Sequence, residues 1–145
     1  MKNFIVLVAL FFVGLFYGQE PLKSLTKEDV PLEVANAVDV STLVFVVDTE
    51  PQFPGGMSEF RKEFSKNFNT SALKKSENGV LKTVIYYAVE VDGSILCAKA
   101  IGDNDSFNKE AERALLAIKT KYNPASVNGL LVRYLLKMPL SMSFK

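Results

Sequence analysis

The chain has 145 residues, 48% of them apolar and 23% charged, and carries a formal net charge of +1. Those values describe one globular domain and exclude a disordered chain. The near-neutral balance, with no basic run longer than Lys74-Lys75, argues against nucleic acid as a partner. Histidine is absent and Cys97 is the single cysteine. No Ser–His or Cys–His nucleophile pair and no internal disulfide can form within the chain. The expectation is a non-enzymatic protein that needs no metal and no cofactor.

Residues 1–18 open with Lys2 and continue as an uncharged, almost wholly apolar run from Phe4 to Tyr17. This is the pattern of a secretory signal peptide, with cleavage after Gly18, and the run is short for a bilayer span. An uncleaved anchor is the alternative. Residues 19–41 are polar, contain Pro21 and Pro31, and read as a linker with a short helical turn near residues 31–37. Residues 42–145 form the expected domain. It opens with a β-branched run, residues 42–47, which is a candidate extra strand.

Phe53-Pro54-Gly55-Gly56 breaks the chain before an amphipathic helix, in which Met57, Phe60, Phe64 and Phe68 recur on one face. Such a stripe serves a core or a partner, and packing on a sheet is its commoner use. Residues 71–78 are a polar connection that Asn78-Gly79 ends. Residues 81–91 and 95–101 are β-rich runs joined by Asp92-Gly93, a strong hairpin signal. Cys97 shares a face with Ile95, Lys99 and Ile101. A cysteine in mid-strand is a small hydrophobe or a reactive thiol, and no histidine is present to activate it.

Asp105 or Ser106 can cap a second helix, whose apolar stripe is Phe107, Ala111, Ala114, Leu115 and Ile118. Glu110, Glu112 and Arg113 fall outside that stripe, on an expected solvated face. After Tyr122-Asn123-Pro124-Ala125, Asn128-Gly129 turns the chain into its last strand, residues 130–144. There Val132, Tyr134, Leu136, Met138, Leu140, Met142 and Phe144 alternate with a more polar set. Pro139 has no N–H to give a ladder, which places that part of the strand at an edge or bulge. An α+β fold follows: a three-stranded antiparallel sheet with two helices packed on one face.

Taken in order, several pieces resemble the TonB C-terminal domain, in the stand-alone secreted form of the Bacteroidetes. They are Phe53-Pro54-Gly55-Gly56, Glu77-Asn78-Gly79-Val80, Val91-Asp92-Gly93-Ser94-Ile95, residues 107–111, Tyr122-Asn123-Pro124-Ala125, Asn128-Gly129 and Met138-Pro139-Leu140 before Phe144. The chain departs from that pattern at Lys82, where a glycine is usual, and at Asn69-Thr70, where Tyr-Pro is usual.

The resemblance implies a periplasmic domain that binds an extended segment of an outer-membrane transporter, or of another envelope protein, beside its last strand. Backbone pairing at a strand edge supplies affinity in such recognition, and alternate side chains supply choice. Leu131, Arg133, Leu135 and Lys137 are the residues expected to line that edge. Two alternatives stay open: self-association through the same edge, including a homodimer, and a membrane-anchored energy transducer if the leader is retained.

Overall fold

The computed structural model describes residues 9–11, 25–74 and 79–143. The rest of the expected leader with its cleavage position, residues 19–24 of the linker, residues 75–78 and Phe144 lie outside the described residues. The fold is α+β. Its elements are β1 (Ala9–Phe11), α1 (Leu32–Ala37), α2 (Gly56–Asn67), β2 (Val80–Val89), β3 (Ile95–Ile101), α3 (Asp105–Leu116), β4 (Ala125–Val127), β5 (Leu130–Val132) and β6 (Tyr134–Ser143). Short 3-10 turns occupy Lys27–Asp29 and Thr70–Ala72. No helix among the described residues is long and apolar enough to cross a membrane.

The main sheet has the order β1-β6-β2-β3 and is antiparallel throughout. β2 and β6 pair along ten residues, from Val80↔Ser143 to Val89↔Tyr134. The long alternating runs allow this, since every second side chain falls on each face. Asp92-Gly93 makes the β2–β3 turn as expected, and Gly93 is required there. It has φ +84°, and a Cβ would lie 2.0 Å from the Tyr122 carbonyl oxygen. Asn128 and Gly129 both have positive φ, at 50° and 77°, the geometry of a tight hairpin turn joining β4 to β5.

One face of the sheet packs on α2 and α3. Phe60, Phe64, Phe107, Ile85, Leu115, Leu140 and Met142 are all almost wholly buried in this core. Burying each such side chain contributes about 1.5–3 kcal/mol before entropy is counted. Phe60 centres the aromatic cluster, edge-on to Phe53 at 5.4 Å between centroids and stacked with Phe64 at 6.2 Å and Tyr87 at 6.5 Å. The phenylalanine stripe therefore serves the core. The Tyr87 and Tyr122 hydroxyls meet at 2.9 Å inside it. Burial pushes the Tyr87 phenol well above its usual value and the Tyr122 phenol up to about 12.

Several expectations change. Residues 42–47 form no strand; Leu43 makes one parallel bridge to Arg133 and the chain then moves on to Ser126. The described part of the linker, residues 25–41, is a structural layer and not a tether. Val34 and Val38 are buried on the second face of the sheet with Leu43, Tyr86, Ala88 and Leu135. A register shift between Tyr87 and Val89 puts an extra residue in β3. Ile95 then packs with the helix-side core and Cys97 with the second, on opposite faces. The last strand is two, because the chain breaks at Arg133 and Leu130–Val132 pair with Ala125–Val127.

At α3 the cap is Asn104, whose Oδ1 accepts from the Phe107 N–H at 2.9 Å, in place of Asp105 or Ser106. Glu110 is 5% exposed, not solvated. It accepts from Arg113 and from the Asn69 N–H at 2.8 Å, joining α3 to the end of α2. Glu112 accepts from the Ala100 N–H at 2.9 Å.

Candidate functional site

The candidate site is the side of β6 that faces away from β2. In an antiparallel pair, backbone groups point alternately toward the partner strand and away from it. Two bonds set the phase. Glu90 N–H donates to Ser94 O at 2.9 Å, so even-numbered residues of β2 serve the β3 side and odd ones serve β6. Arg133 O accepts from Val44 N–H at 3.0 Å, on the outer side. Hence Leu135, Lys137, Pro139, Ser141 and Ser143 turn their backbone groups outward. Pro139 lies where its missing N–H costs β2 nothing, as its place at an edge requires.

The two ends of this side are occupied differently. At the Tyr134 end, residues 39–44 close it, held by Arg133. Its Nε is 2.7 Å from Glu90 Oε2 and its Nη2 3.1 Å from Glu90 Oε1. Its Nη1 donates to Asp39 O at 2.7 Å and to Thr42 Oγ1 at 2.6 Å. The Asp39 carboxyl is held below its usual range by the Ser41 hydroxyl and backbone N–H, with a smaller pull from Arg133. At the far end, Ala9, Leu10 and Phe11 pair antiparallel with Ser143, Met142 and Ser141. Between the two ends, no described residue is registered beside Leu135–Leu140 on the outer side.

The four residues expected at the edge are not brought together. Leu131 is exposed at 56%, but on β5, before the break at Arg133. Arg133 is half-buried and committed to Glu90, Asp39 and Thr42. Leu135 is 2% exposed, packed under α1 with Val34 and Val38. Of the four, only Lys137 is an exposed side chain on this stretch, with its Nζ 5.8 Å from the centre of the Tyr86 ring.

Beside this stretch, on the same face, lies a cleft of about 360 Å³ lined by Lys82, Val84, Ile101, Pro139 and Ser141. Two of its lining residues, Val84 and Ile101, also pack against the second core. Sequence reasoning missed Glu90 and the cover formed by residues 32–45. Glu90 had a signal, as the one charged residue in residues 83–91. Its partner emerges only from the β2–β6 register, where Glu90 is the next position opposite Arg133.

Compared with known proteins, the chain matches no family model, no curated protein and no solved structure.

Proposed function

We propose that this chain is a periplasmic, non-enzymatic binding domain of the TonB C-terminal kind. It takes an extended segment of an outer-membrane transporter, or of another envelope protein, as an added strand on the outer side of β6. The observation that carries the reading is the stretch Leu135–Leu140, beside which no described residue is registered and which turns backbone groups outward next to a mostly apolar cleft. An edge of this kind binds extended peptides through main-chain bonds. The uncharged run of residues 4–17 supports export, and the ordered motifs from Phe53 to Pro139 support the resemblance.

The test is capture from envelope extracts by a chain spanning Gln19 to Lys145, compared with its Lys137→Pro variant. Lys137 is exposed and its N–H points outward, so proline there removes an edge donor and no ladder bond to β2. Leu135 is unsuitable for this purpose because its side chain is in the second core. Capture of a transporter by the parent, and its loss in a variant with unchanged circular dichroism, is the expected result. A folded parent that captures nothing, and whose mass rises with concentration, would replace the proposal by self-association.

A further inference from the structure

The far end of the β6 edge identifies its own occupant. Ala9–Phe11, inside the apolar run read as a leader, lie antiparallel to Ser141–Ser143, on the side opposite β2. Ser141 and Ser143 turn their backbone groups outward, so Ala9 and Phe11 stand at the hydrogen-bonded positions of this short ladder, and Leu10 at the alternate one. We infer that the N-terminal apolar segment is an intramolecular strand ligand of this edge. A chain that keeps residues 1–18 is closed at Ser141–Ser143, and removing them opens the edge to an extended apolar segment running antiparallel to β6.

The inference rests on the strand-addition reading and adds to it the direction of the guest, its apolar character and a processing step that gates access. The geometry favours exchange. Three paired residues are a small ladder, well below the ten of β2 with β6, and a competing strand has little to displace.

The experiment is residue-resolved amide hydrogen exchange on the full chain and on its Ala9→Pro/Phe11→Pro variant. Proline at these positions removes the two donors that face β6. Exchange at Ser141 and Ser143 is expected to quicken at least ~10-fold in the variant, while Leu136, which bonds β2, keeps its rate. Equal rates in parent and variant, or a change that also reaches Leu136, would overturn the inference.

A second arm adds a synthetic peptide of residues 6–14, with a lysine tail for solubility, to the chain from Gln19 to Lys145. Slower exchange at Ser141 and Ser143 supports the inference, and no slowing at millimolar peptide overturns it. The two proposals fail separately. Capture of envelope proteins alongside equal exchange in parent and proline variant leaves the partner reading and removes self-docking. Quickened exchange in the variant without capture does the reverse.

Discussion

The two faces of the sheet are covered by opposite means. On one, α2 and α3 supply large aromatic side chains at regular helical spacing, and Phe60, Phe64 and Phe107 are fully buried. On the other, among the described residues, a short helix and an irregular segment supply Val34, Val38 and Leu43, beside a cleft of about 360 Å³. The thick cover holds the domain together. Strand pairing by the thin one stops at Arg133, although it still covers the Leu135 side chain, and no described residue is registered on the outer side of residues 135–140. The proposed function falls where, among the described residues, packing is least complete, and there a strand could be added without dismantling the core.

Variants can break or sharpen this contrast. Phe60→Ala empties the centre of the aromatic cluster and should cost about 3–5 kcal/mol in urea unfolding. Leu135→Ala should cost about 2–4 kcal/mol, because its side chain is buried under α1. Leu131→Ala, in the same apolar run of sequence, should change stability by less than about 0.5 kcal/mol because Leu131 is exposed. If Leu135→Ala were as mild as Leu131→Ala, the second face would not be a core and the contrast would collapse.

A smaller effect separates structure from site. Glu110→Gln should cost about 1–2 kcal/mol at neutral pH, since it weakens the charged link between α3 and α2. Hydrogen bonds from Arg113, and then from Asn69, hold the Glu110 carboxyl below its usual 4.5. Near and below pH 4.5 the unfolded chain therefore binds more protons than the folded one. The stabilisation is complete above that pH and is lost as pH falls through the depressed folded value. The gap between parent and Glu110→Gln should narrow over that window, as read by urea midpoints from pH 7 to pH 3. Partner capture at pH 7 should be unchanged by this substitution.

Much of the helix-side architecture was legible because its signals are local and periodic. Phe60 and Phe64 mark a buried helix face, and Asp92-Gly93 and Asn128-Gly129 mark turns that only residues tolerating positive φ can make. The second face was not legible. Val34 lies in a six-residue helix and Val38 at its C-cap, too short a run to show a period, and Leu43 packs from an irregular segment. The same gap misassigned Leu135. Alternation along β6 separates its two faces, but nothing in that strand tells that residues 32–45 cover one of them.

The remaining misreadings have the same root. Arg133 reads as an edge side chain until the β2–β6 register sets it beside Glu90. Ile95 reads as a neighbour of Cys97 until one extra residue in β3 reverses the alternation. Long-range register decides both, and a single sequence does not carry it.

The central claim, that the outer side of β6 along Leu135–Leu140 can receive a strand, is tested most directly by amide exchange in the chain from Gln19 to Lys145 without any partner. Leu136 and Met138 donate to β2, and Lys137 turns its N–H outward between them. The account expects slow exchange at Leu136 and Met138, with Lys137 at least ~100-fold faster. Uniform protection across residues 136–138 would mean that another part of the chain or a second copy already covers the edge, and would contradict it.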